Sequence, residues 1–150
     1  MVKKVCAMYF SATGTTEKIV TRIGADIASA LSAELDLFSF TRPEERAEPK
    51  IIPEDEVLVI GTPVYAGRVP NVLLKYLDTV TSSGAMAIPV VLYGNRNYDD
   101  ALIELRDILE KNGFRTIAAG AFVGAHAFSY TLAKGRPDEA DIELAHELAV

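Results

Sequence analysis

Tryptophan is absent from this chain, cysteine occurs once and histidine twice. Each shortage closes off a class of chemistry. A single thiol, Cys6, permits no internal disulfide and no all-cysteine metal site. It lies within the apolar run Lys4-Val5-Cys6-Ala7-Met8-Tyr9-Phe10, where a buried, inert thiol is expected. A nucleophilic cysteine would sit in the turn beyond, near a helix N-terminus. No pair of acids and no histidine cluster has the spacing that a hydrolase or a metal site needs. His146 reads as a surface residue, and His126, with Phe128 and Tyr130, as part of a locally packed loop, an aromatic lid or docking surface at the same edge being the alternative.

Positive charge is also in short supply. Fifteen basic residues stand against 21 acidic ones, for a net charge of −6. Nucleic acid and anionic membrane surfaces demand clustered Lys and Arg, so neither is an expected partner. No apolar run approaches the roughly 20 residues of a bilayer-spanning helix. Lys3 and Lys4 precede only a short apolar run that leads straight into a turn, unlike a secretory signal. Cytoplasmic residence is the expectation.

What is plentiful is apolar material, 49% of 150 residues, enough for the core of one ordinary domain. Four runs are nearly continuous in apolar residues and read as buried parallel strands: Val5–Phe10, Val57–Ile60, Ile88–Tyr93 and Ile117–Val123. Leu35–Phe40 alternates more and fits a sheet edge. Helical patterns fall between the strands. Ile19, Ile23, Ile27 and Leu31 form one stripe, and Leu73, Leu77 and Val80 form a second behind Pro70. A third helix from about Asp99 to Lys111 buries Leu102, Leu105, Ile108 and Leu109, with Asn112-Gly113 as its stop. A fourth begins near Pro137-Asp138 and runs to Val150 without a stop, which suggests that the domain, residues 1–150, is the N-terminal part of a longer protein. Thr41–Pro53 reads as an exposed, charged crossover, and Glu44, Glu45, Arg46 and Glu48 as a solvated run. This alternation predicts a doubly wound α/β domain with a five-stranded parallel sheet and helices on both faces. Ligands of such sheets bind beyond the C-terminal ends of the strands.

Three segments leave those ends. Ser11-Ala12-Thr13-Gly14-Thr15-Thr16 follows the first strand and carries four hydroxyls, one glycine and no charge. A strand turning into a helix leaves backbone N–H groups that converge on one point, and the helix dipole adds positive potential there. Such a turn suits a phosphate. Gly61-Thr62-Pro63-Val64-Tyr65-Ala66-Gly67-Arg68-Val69-Pro70 follows the third strand, and Gly94-Asn95-Arg96-Asn97-Tyr98 the fourth. Both begin with glycine, which admits a ligand close to the backbone, and both carry a tyrosine, whose flat face can stack on an aromatic ring. A phosphate at one loop and aromatic plates on the next two describe a nucleotide-like cofactor.

The missing residues narrow the class further. A triphosphate-binding loop needs Gly-Lys-Ser/Thr, and this turn has no lysine. A dinucleotide fold needs G-x-G-x-x-G. A phospho-accepting receiver needs an aspartate where Gly61-Thr62 stand, and a cysteine phosphatase needs its thiol in the first loop.

The three loops, in this order, resemble those of flavodoxins, and the likeness covers essentially the whole chain. Gly61–Gly67 and Gly94–Asp99, with Gly135-Arg136-Pro137-Asp138, are most similar to flavodoxin domains fused to an iron–sulfur ferredoxin module. The resemblance implies strand order 2-1-3-4-5 and FMN as the cofactor. Ser11, Thr13, Thr15 and Thr16, with the N–H groups from Ala12 to Thr16, would cradle the phosphate. Thr62 and Pro63 would line the ribityl chain, with Val64 beside them. Tyr65 and Tyr98 would flank the ring, replacing the tryptophan that many carriers expose. Gly94, Asn95, Arg96 and Asn97 would face its pyrimidine edge, where Arg96 would favour negative charge. Ala66-Gly67 would supply a backbone carbonyl to the ring's N5–H. The implied function is electron transfer with a redox partner protein or a ferredoxin-type iron–sulfur module. The alternative is an FMN-dependent NAD(P)H or quinone reductase, for which the chain has no long insertion to build a second pocket.

Overall fold

Residues buried on both sides of a sheet have no need to alternate, and the continuous apolar runs become the central strands. The computed structural model describes residues 2–11, 14–64, 69–93 and 101–123. Its main sheet is parallel throughout and comprises β1 (Lys4–Tyr9), β2 (Glu34–Ser39), β4 (Glu56–Pro63), β6 (Met86–Tyr93), β7 (Arg115–Thr116) and β8 (Gly120–Val123). The order is β2-β1-β4-β6, with β7 and β8 both paired to β6. β7 and β8 are two pieces of one strand position, so the sheet has the predicted five positions in the predicted 2-1-3-4-5 order.

The break in the fifth position has a cause in the sequence. Ile117 N–H donates to the Ala87 carbonyl at 3.1 Å, and the next ladder bond would require an N–H from residue 89. Residue 89 is a proline and has none. Pairing resumes at Val90 with Gly120. Ile117, expected to open a buried strand, is instead 54% exposed.

Side chains from alternate strand positions form two cores. On one face Val5, Ala7, Val57, Val59 and Val90 meet Ile19, Val20, Ile23 and Ile27 of α1 (Thr15–Leu31). On the other, Met8, Leu58, Ile60 and Val91 meet Leu73 and Leu77 of α2 (Asn71–Leu77) and Leu105 and Leu109 of α3 (Ala101–Lys111). Leu31, expected in the α1 stripe, is exposed because the helix stops there and Ser32 turns left-handed. Val80, expected in the second helix, is buried in β5 (Val80–Ser82).

The crossover from Thr41 to Pro53 is more ordered than its composition suggests. It contains a single 3-10 turn, Pro43–Arg46, and β3 (Lys50–Ile52), which pairs in parallel with β5. Ile52 is fully buried there. The expected fourth helix and the loop around His126 lie outside the described residues.

Candidate functional site

Three adjacent strands end at one edge, with β4 and β6 running two and three residues beyond the end of β1. Tyr9 is in register with Gly61, and Pro63 with Leu92. The ladder continues one step past each strand: Phe10 N–H donates to the Gly61 carbonyl at 3.2 Å, and Val64 N–H to the Leu92 carbonyl at 2.9 Å. The segments after β1, β4 and β6 therefore emerge side by side.

The first turn is pinned at both of its ends. Gly14 caps α1 with φ 86°, a left-handed conformation that glycine adopts without strain. It has no side chain to cap the helix, and Ser11 performs that task, its Oγ accepting the Glu17 N–H at 3.1 Å. The Ser11 N–H in turn donates to Thr41 Oγ1 at 2.9 Å. Both flanking donors are thus committed within the protein, and the expected cradle, Ala12 to Thr16, lies between them. The Glu17 carboxylate accepts a hydrogen bond from the Tyr9 hydroxyl at 3.4 Å. Burial, and then Glu17 itself, push the Tyr9 phenol above its ordinary pKa.

Helix α1 can approach the sheet because residue 61 is glycine. A Cβ there would lie 2.2 Å from Val20 Cγ2 and 3.1 Å from Thr16 Cγ2. Thr16 is accordingly buried at the helix start. Next to Gly61, Thr62 is completely buried, and its Oγ1 has no hydrogen-bond partner among the described residues. Pro63 is half-buried, and Val64 belongs to the core with Val69 and Val91. Of the residues singled out in the sequence, Ser11, Gly14, Thr15, Thr16, Thr62, Pro63 and Val64 are thereby gathered at one edge. Ala12, Thr13, Tyr65, Ala66, Gly67, Gly94, Asn95, Arg96, Asn97 and Tyr98 lie outside the described residues.

Sequence reasoning missed the supports of this edge. Ser39 Oγ lies 3.1 Å from both Thr41 Oγ1 and Glu45 Oε1. Glu45 Oε1 also accepts the Arg42 N–H at 2.9 Å, which, followed by Ser39, holds its carboxyl below the usual range. Arg46 is no solvated charge either: its Nη1 donates to the carbonyls of Phe40 (2.9 Å) and Thr41 (2.8 Å), and its guanidinium lies 5.8 Å from the Phe10 ring centre. Proline opening a turn with glutamate at its third position, Pro43-Glu44-Glu45, is the signal that could have revealed the cap. A second support is Glu104 on α3, whose Oε1 accepts the Val69 N–H at 3.0 Å.

Among the described residues, no group of three or more His, Cys, Asp or Glu could hold a metal ion. No helix among them is long and apolar enough to cross a membrane.

Solved structures with the same fold include a flavodoxin from the domain Archaea (15% identity, TM-score 0.65, 97% of this chain and 93% of that one). Flavodoxin 2 of Bacillus cereus is 17% identical with a TM-score of 0.64, covering 99% and 95% of the two chains. Two-electron reduced Megasphaera elsdenii flavodoxin is 17% identical with a TM-score of 0.62, covering 97% of each. At such identities the likeness is one of fold. A search of curated proteins gave no match. The family model described as "Flavodoxin domain" matches residues 7–127, well over half of the sequence, and the chain belongs to that family.

Proposed function

We propose that this protein binds FMN non-covalently across the ends of β1, β4 and β6 and carries electrons between redox proteins. The observation that carries the reading is Thr62. A buried hydroxyl without a partner costs about 1–3 kcal/mol, and native proteins rarely leave one so. Thr62 Oγ1 is such a group among the described residues, one position from the end of β4, where its neighbour Gly61 packs against the start of α1. A ligand with both a phosphate and a polyol chain fits that pair, the phosphate at the turn and a hydroxyl against Thr62.

When bound, FMN supplies reversible electron transfer at its ring, and the protein supplies binding, orientation and electrostatics. Ser11, Thr13, Thr15 and Thr16, with the N–H groups of residues 12–16, would hold the phosphate. Ser11 is well suited, since its Oγ accepts from Glu17 N–H and keeps its own proton for a ligand oxygen. Thr62 and Pro63 line the ribityl chain, and Val64 backs it from the core. Tyr65 and Tyr98 would flank the ring, the 66–67 peptide would offer its carbonyl to the ring, and Gly94, Asn95, Arg96 and Asn97 would meet its pyrimidine edge. The partner is a redox protein or a ferredoxin-type iron–sulfur module, and the setting is the cytoplasm.

Reconstitution with FMN tests this directly. Purified protein should turn yellow, retain the flavin on desalting and release FMN, identified by chromatography, on denaturation. Colourless protein with no affinity for FMN would overturn the proposal.

A further inference from the structure

We infer that Thr41, Ser39 and Glu45 are positioning residues for the phosphate turn, joined in a one-way hydrogen-bond relay that runs from the Ser11 N–H to the Glu45 carboxylate. The relay rests on the FMN reading above for its functional meaning, and on distances alone for its existence. Its links are Ser11 N to Thr41 Oγ1 (2.9 Å), Thr41 Oγ1 to Ser39 Oγ (3.1 Å) and Ser39 Oγ to Glu45 Oε1 (3.1 Å).

Proton counting fixes the direction. An ionised carboxylate only accepts, so Ser39 must spend its single hydroxyl proton on Glu45. Thr41 then donates its own proton to Ser39 Oγ, which leaves Thr41 Oγ1 as the acceptor for the Ser11 N–H. Every donor in the line is used once, and each bond polarises the next. The Thr41 N–H, 3.3 Å from Ser39 Oγ, and the Arg42 N–H on Glu45 close the arrangement.

The relay reaches the site through Ser11 alone. β2 pairs with β1 so that Ser39 is opposite Tyr9, which sets Thr41 opposite Ser11. With its N–H held by Thr41, Ser11 places its Oγ on the Glu17 N–H and so fixes the start of α1 relative to β1. Arg46, from the same 3-10 turn as Glu45, grips the Thr41 carbonyl from the other side. A surface turn that looked solvated thereby sets the geometry of a loop more than thirty positions away.

Two flavins separate positioning from general stability, because riboflavin lacks the phosphate. Thr41→Val keeps the branched shape and removes the acceptor. It should raise the Kd for FMN about tenfold and leave that for riboflavin unchanged. Thr41→Ser should restore FMN binding. In flavin-free protein, the Ser11 amide should exchange its hydrogen about tenfold faster in Thr41→Val than in wild type. Glu45→Ala, on a partly exposed residue, should move the FMN Kd and the Ser11 amide in the same directions, and it decides the matter if Thr41→Val does not fold. Unchanged FMN affinity, or equal weakening of both flavins, overturns the relay. If wild-type protein binds neither flavin, the proposed function fails by itself, while the exchange rate of Ser11 still judges the relay.

Discussion

Glu104 and Val69 are joined across the molecule: the carboxylate on the first turn of α3 accepts the backbone N–H at the end of the segment after β4, at 3.0 Å. Residues 64–70 and 94–100 are the two segments assigned to the flavin ring, and this bond ties the close of one to the helix that follows the other. A hydrogen bond to a charged group is worth about 1.5–3 kcal/mol, less where water can replace it. Glu104→Ala should therefore weaken FMN and riboflavin alike, by about 1 kcal/mol or somewhat more. Flavin titrations by fluorescence quenching measure both. A loss confined to FMN would show that Glu104 acts on the phosphate end instead.

Thr62 yields a prediction in which stability and affinity move oppositely. Thr62→Val removes a buried hydroxyl that has no partner among the described residues. The flavin-free protein should gain about 1 kcal/mol or more, because the desolvation cost disappears. The FMN complex should weaken by a similar amount if the hydroxyl meets the ribityl chain. Tyr76, whose buried hydroxyl likewise has no partner among the described residues, is the control. It packs against Phe40, with ring centres 5.4 Å apart, and Tyr76→Phe should stabilise without changing flavin affinity. Urea midpoints and flavin titrations on both variants supply the comparison. Thr62→Val that binds FMN as wild type does would remove the main support for the ligand assignment.

Gly61→Ala should act through helix packing. The added methyl would stand 2.2 Å from Val20 Cγ2, on a stiff β-branched side chain, and 3.1 Å from Thr16 Cγ2. Helix α1 must back away from β4, at a cost of about 1–3 kcal/mol for overpacking. Because the same helix start bears the turn proposed to hold the phosphate, FMN affinity should fall along with the urea midpoint. An unaltered midpoint would mean that α1 yields to the methyl at no cost.

The contrast between what the sequence told and what it hid follows from the range of the interactions. β1, β4 and β6 were legible because burial on both faces leaves a continuous apolar record, and α1 because its stripe repeats every four residues. The turn from Ser11 to Thr16 was legible because a strand, a glycine and a helix start are contiguous. Ser39, Thr41 and Glu45 left no such record. Each is an ordinary polar residue until β2 lies beside β1 and brings Thr41 against Ser11. Glu104 is similarly mute until α3 passes Val69. The break in the fifth strand was written in Pro89, one strand away from where its effect appears.

Alkaline titration offers a test of the core between the sheet and α2. Burial pushes the Cys6 thiol from 9.0 up to about 11, and burial, followed by Cys6, pushes the Tyr76 phenol from 10.0 up to about 12. Both groups are acids whose neutral form the fold prefers. The unfolded chain releases these protons first, so each contributes stability that is complete below its unfolded pKa and is lost as pH rises through its folded one. For Cys6 the loss should run between pH 9 and about 11, and for Tyr76 between pH 10 and about 12. Urea midpoints should hold steady up to about pH 8.5 and then fall, and Cys6→Ala should flatten the first part of that fall. Native Cys6 should also resist thiol reagents at about pH 8 and react once the protein unfolds, since only the thiolate attacks. Rapid labelling of the folded protein, or a Cys6→Ala midpoint that falls as steeply as wild type, would place the ionising group elsewhere.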